Sequence, residues 1–104
     1  MPVSVKLQNH ESGGRIEMGT FTLNVNAGAA VAADTLQPDT VTVSGAKVGD
    51  LILVSEEAPD ATLSLSGAKV TAADTVTVYT INTKATASTS SGAKTYNYLL
   101  VHLS

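Results

Sequence analysis

Two histidines, His10 and His102, are the only imidazoles in this chain and cysteine is absent, so a zinc site would have to be completed by carboxylates, against that ion's usual preference. His10 reads as an exposed residue of an arm, and His102 as an edge residue of the last strand. Ser44, Ser66 and Ser91 each precede a glycine, yet none lies in the Gly-x-Ser-x-Gly elbow that presents a nucleophile to a relay. Glu56 and Glu57 are the one acidic pair, but neighbours on a proline turn face solvent rather than converging on a substrate. Asp34, Asp39, Asp50 and Asp74 fall at strand entrances, where an aspartate bonds nearby backbone N–H groups, and no Asp-x-Asp-x-Asp-Gly run offers a calcium loop. This inventory points away from catalysis, and no metal or cofactor is expected.

Residues suited to meeting a partner are easier to find. Lys47, Lys69 and Lys94 each close a Ser-Gly-Ala-Lys word. They either solvate turn tips and guard strand edges or meet acidic groups on another surface. Tyr96 and Tyr98 are two residues apart and share one face of a strand, a small stacking patch. Val3, Val5 and Leu7 alternate with polar residues in the manner of an edge strand, before Asn9 to Gly14 breaks the pattern. Contact with a partner surface or a neighbouring subunit is therefore expected at Val3, Val5, Leu7, Lys47, Lys69, Tyr96 and Tyr98.

Short strands must position these groups. Asp-Thr-Val-Thr-Val occurs at 39–43 and 74–78, and Ser-Gly-Ala-Lys-Val at 44–48 and 66–70. Alternating Thr and Val is a half-buried strand pattern, and the words occur in opposite order, so they do not define a tandem repeat. Residues 1–19 read as an extended arm and 20–104 as one small antiparallel β-sandwich or barrel. Within it, Phe21, Leu23 and Val25 make the first core strand, and Ala27 to Ala33 a tight connection with at most one helical turn. Gln37-Pro38-Asp39 reads as a turn, and Gly67 as a turn between a strand at Leu63–Leu65 and a connection opening at Val70. Leu51 to Val54 is apolar on both faces and is expected centrally in a sheet or at a subunit contact. Residues 82–95 form a polar loop with no apolar anchor, and the final strand carries Tyr96 to Val101.

At 104 residues, 43% hydrophobic but with one Phe and no Trp, the chain must fill its core with aliphatic side chains. Burial against further copies is expected to supplement so small a core. Six basic against nine acidic residues, net -3, give no electrostatic reason to bind nucleic acid. No run is long and apolar enough for a membrane helix, and the first residues lack the order of a signal peptide, so synthesis as a soluble cytoplasmic product is expected. Only 14% of residues are charged, a surface suited to packing against something.

The run Gly45-Ala-Lys-Val-Gly-Asp-Leu-Ile-Leu-Val54, then Gly67-Ala-Lys-Val-Thr-Ala-Ala-Asp-Thr-Val-Thr-Val78, Asn82-Thr83 and the terminal Tyr-x-Tyr strand resembles the small head decoration, or cement, proteins of tailed bacteriophages, over roughly residues 36–104. The resemblance implies a non-enzymatic, β-rich, commonly homotrimeric protein on the virion exterior. It would bind the outer face of the assembled capsid and bridge major capsid protein subunits, with an N-terminal arm reaching over a neighbour. It transfers no site residue. The alternative is a carbohydrate- or cell-surface-binding β-module, which would use Tyr96 and Tyr98.

Overall fold

The computed structural model describes residues 15–58, 63–90 and 92–103. Its six strands are β1 (Arg15–Leu23), β2 (Thr35–Thr42), β3 (Leu51–Glu56), β4 (Leu63–Ala72), β5 (Thr75–Asn82) and β6 (Lys94–His102), with a single 3-10 turn at Val25–Gly28. They form two antiparallel three-stranded sheets, ordered β1-β6-β3 and β2-β5-β4. The fold is all-β, as the period-two alternation predicts. Every sequential connection except the β4–β5 hairpin crosses from one sheet to the other, so neither sheet forms without its counterpart.

The two copies of Asp-Thr-Val-Thr-Val pair with each other. β2 and β5 run antiparallel with Asp39 opposite Val78, Thr40 opposite Thr77, Val41 opposite Val76 and Thr42 opposite Thr75. Directly opposed residues share a face, so this register gathers the valines inside and the threonines outside. β4 completes the inner face with Val70 opposite Val76 and Ala68 opposite Val78. From the other sheet, Ile52 and Leu100 close on these residues, and Val43 and Ala46 cap them, forming one buried aliphatic cluster. Val25, Val31 and Leu63 form a smaller cluster beside it.

Identical words adopt different conformations. Ser44-Gly45-Ala46-Lys47 is the expected turn, but Ser66-Gly67-Ala68-Lys69 lies inside the continuous ten-residue strand β4, where the register shifts between Leu65 and Gly67. Gly67 marks a bulge, not a turn, because β5 offers partners on both sides of it. Gln37-Pro38-Asp39 is likewise strand. Proline lacks an N–H, and β2 is an edge strand that among the described residues has no partner strand on its other side to demand one. β1 begins at Arg15, so Arg15 to Gly19, read from sequence as part of the arm, is paired with β6. The loop after β5 is tied down by a polar anchor: the fully buried Asn82 amide donates to the carbonyls of Val31 (3.0 Å), Ala32 (3.2 Å) and Thr86 (3.0 Å). Its Oδ1 accepts from the Lys84 N–H at 3.0 Å.

Tyr96 and Tyr98 do share a face, but it is the inner one. Tyr96 is 2% exposed and stacks on Phe21 at 5.3 Å between ring centroids; Tyr98 is half-buried and stacks on the same ring at 6.1 Å. They replace the missing bulk of a core with one phenylalanine, so the surface patch expected of them is not formed. Gly19 lies opposite Tyr98, and a Cβ there would fall 2.7 to 2.9 Å from the tyrosine ring and hydroxyl. Adding a methyl at this point forces the ring off its stack. Gly19→Ala is expected to destabilise the fold by about 1–3 kcal/mol, read as a lower urea midpoint with an unchanged slope.

Candidate functional site

His102 is a buried member of β6, the central strand of its sheet, rather than an edge residue. The alternation that turns Tyr96, Tyr98 and Leu100 inward turns His102 inward as well, and a buried imidazole needs partners. Asp50, from the loop preceding β3, meets Nδ1 through Oδ2 at 2.9 Å, and Glu17 of β1 meets Nε2 through Oε2. The ring donates to both carboxylates only as the imidazolium. With both nitrogens committed, neither is left to take a proton from a nucleophile. The ring also sits between the two acids, and among the described residues no group of three such side chains is arranged to hold a metal. The cluster clips β1, β6 and the loop before β3 together.

Asp50 carries much of that clip. Burial pushes its pKa up, but the Lys47 backbone N–H, the adjacent His102 ring and the Leu103 backbone N–H outweigh it and hold the carboxyl below its ordinary 3.8. The Lys47 N–H lies 3.0 Å from Oδ2. A carboxyl held below its unfolded value stabilises the fold fully above about pH 4, and that contribution is lost as the pH falls further. Asp50→Asn should therefore lower the melting temperature at pH 7 and flatten the acid limb of a plot of melting temperature against pH below about pH 4. An Asn variant with an unaltered acid limb would remove Asp50 from this role.

The outward side of the same sheet has the opposite chemistry. In register across its three strands, Ile16, Val101 and Leu51 form one row and Met18, Leu99 and Leu53 the next. Met18 is 79% exposed, Leu53 56% and Leu51 48%. A third row, Thr20, Asn97 and Ser55, is neutral and polar. A shallow hollow of about 250 Å³ opens between β3 and β6, walled by Leu53, Ser55, Asn97 and Leu99. The outward side of the other sheet consists mainly of threonines with Ser64 and Lys69, joined by Leu36, Pro38, Tyr79 and Ile81. There the Thr71 and Thr77 hydroxyls bond at 2.9 Å. The β1-β6-β3 side is thus the more apolar of the two, while the other mixes threonines with an apolar stretch that includes Leu36, 47% exposed.

The residues expected to make contacts do not come together. Val3, Val5 and Leu7 lie outside the described residues. Lys47 is exposed in the loop before β3, and that loop is bound to the β4–β5 turn, where Asp74 Oδ1 accepts from Gly45 N–H at 2.7 Å and Asp74 N–H donates to Ala46 O at 2.8 Å. Lys69 is exposed on β4, a few residues before that turn, so the two lysines belong to one end of the sandwich. Lys94, by contrast, spends its ammonium on the Ala58 carbonyl at 3.1 Å. Leu51 and Leu53, anticipated centrally or at a subunit contact, lie on β3 at the margin of its sheet, where β4 approaches and Leu65 N–H donates to Glu56 Oε1 at 3.1 Å. The rest of the apolar face was missed. Its signal was the apolar character of both alternations in β6, where Leu99 and Val101 interleave with Tyr98 and Leu100. No protein-family model, curated protein or solved structure matches the chain.

Proposed function

We propose that this protein is a non-enzymatic structural component of a tailed-phage virion, binding the exterior of the assembled capsid and stabilising it by bridging major capsid protein subunits. The observation that carries the reading is the two-sided sandwich, with a solvated threonine-rich side and an aliphatic side, in a chain with few charges. Such a molecule is built to be covered by protein on one side while the other meets solvent. Residues 1–14 lead directly into β1, which among the described strands pairs only with β6. Among the described residues β1 has no second neighbouring strand, which suits β-augmentation by an arm that reaches out from the sandwich. Lys47 and Lys69, at one end of the molecule, are placed to meet acidic groups of a shell.

A protein that binds only the expanded lattice stabilises it by mass action, so weak contacts repeated over a symmetric surface suffice. The sugar-binding alternative loses the rings it needs, since Tyr96 and Tyr98 are turned into the core. Co-sedimentation with expanded and unexpanded phage heads tests the proposal. Selective binding to expanded heads is expected, with raised resistance to heat-driven genome release. Deletion of residues 1–14, or Lys47→Glu with Lys69→Glu, is expected to weaken it. Absence of binding to the heads of the phage that encodes the protein would end this reading.

A further inference from the structure

We infer that the outward side of the β2-β5-β4 sheet carries a subsite for an acidic sugar, a uronate residue of a polysaccharide, stacked on Tyr79 and paired with Lys69. Phe21, Tyr96 and Tyr98 are taken up by the core. Tyr79, the remaining aromatic ring of the chain, is half-buried among the outward residues of the central strand β5. In register it lies between Pro38 on β2 and Gly67 on β4. A Cβ on Gly67 would meet no atom beyond its chain neighbours within 4 Å, so the surface beside the tyrosine is open on that side. The word Ser66-Gly67-Ala68-Lys69 makes this opening. Its register shift sets the residue without a side chain opposite Tyr79, then turns Ala68 and Val70 inward and Lys69 outward. Bulges recur beside sites because they re-aim a side chain in this way.

The chemistry of the occupant follows from these groups. A pyranose offers C–H groups on its flat side and hydroxyls at its rim. The first suit the negative face of a tyrosine ring, and the second suit the hydroxyls of Thr40 and Ser66, both exposed. Charge then selects among sugars. Lys69 stands in the row of Thr77 and Thr40, next to that of Tyr79, and is the one charge among the outward residues in register on this sheet. The nearby carboxylates are turned elsewhere: Asp39 accepts from the Asn26 N–H at 3.1 Å and Asp74 from the Gly45 N–H at 2.7 Å. A chain of net charge -3 thus presents a cation without an anion beside its exposed ring. Successive outward rows are about 7 Å apart along a strand, a gap that a lysine side chain spans, so a uronate stacked on Tyr79 has its carboxylate met by Lys69. A single cation does not serve a nucleic-acid backbone, which is bound through several.

The subsite uses neither Tyr96 nor Tyr98 and does not rest on the shell-binding reading. Isothermal titration of the full chain with polygalacturonate, against neutral dextran as control, tests it. Binding of polygalacturonate that weakens with added salt is expected, with none of dextran at equal sugar concentration. Tyr79→Ala should raise the dissociation constant about tenfold or more, whereas Tyr79→Phe keeps the ring and the parental affinity. Lys69→Gln should raise it about threefold to tenfold and remove most of the salt dependence. Lys47→Gln, at the same end of the sandwich but outside these rows, should leave it unchanged. Tyr79→Phe and Lys69→Gln alter only outward atoms, so their far-UV circular dichroism should match the parent and the contrast does not depend on refolding. Absence of polygalacturonate binding at millimolar uronate, equal binding of dextran, or parental affinity in Tyr79→Ala would each overturn the inference. A chain that binds heads and ignores polygalacturonate would overturn the subsite and uphold the shell-binding reading. One that binds polygalacturonate through Tyr79 and ignores heads would do the reverse.

Discussion

The pairing of Asp39–Val43 with Asp74–Val78 is the contact on which the rest of the molecule depends. Because both words alternate Thr and Val, their antiparallel register stacks Val41 on Val76 inside and Thr42 on Thr75 outside, and a slip by one residue would exchange the two. The same pairing brings Asp74 against the 43–50 loop, where its backbone carbonyl accepts from Val43 at 3.0 Å and its carboxylate from Gly45 at 2.7 Å. That loop in turn delivers Asp50 to His102 and starts β3 in register with β6. A single self-complementary word thus shapes one sheet, the loop that leaves it and the hydrogen-bonded clip that holds the other sheet.

The β1-β6-β3 sheet combines two chemistries on opposite sides. Inside, Tyr96 and Tyr98 stack on Phe21 and supply the volume that the aliphatic residues of so small a domain do not. At its end, Glu17 and Asp50 each face one ring nitrogen of His102, so the buried imidazole has a polar partner on both sides. Outside, two rows of aliphatic side chains meet solvent. The inner contacts hold together the strands whose outward residues form the apolar face. A rigid, neutral surface loses little conformational freedom on association, which favours docking by shape and apolar contact.

A structural role is consistent with the way the ionisable groups are used. Asp39 accepts from the Asn26 N–H at 3.1 Å through both oxygens, Asp50 from Lys47 and Asp74 from Gly45. These carboxylates hold backbone turns in place, and His102 is engaged on both sides. Lys47 and Lys69 remain exposed, as does much of the aliphatic face.

The alternation of β-branched and polar residues determined by itself that the chain is all-β and that aliphatic side chains line its inner faces. These properties are local, set by the two-residue period of a strand, whereas Asp39 and Asp74 bond the N–H groups of Asn26 and Gly45 from distant segments. It did not determine what a given word becomes. Ser-Gly-Ala-Lys is a turn at 44–47 and a bulged strand at 66–69, and Pro38 lies within a strand, because the presence or absence of a neighbouring strand decides whether a backbone group must be paired. Nor did it show which alternate face of β6 is covered, since Tyr98 and Leu99 are both apolar enough to be buried. Only the packing of one sheet on the other turned the tyrosines inward, set His102 between residues 52 and 85 positions away, and left Met18, Leu51 and Leu53 looking out. Such placements are sums over contacts between distant segments, and no short window of residues contains them.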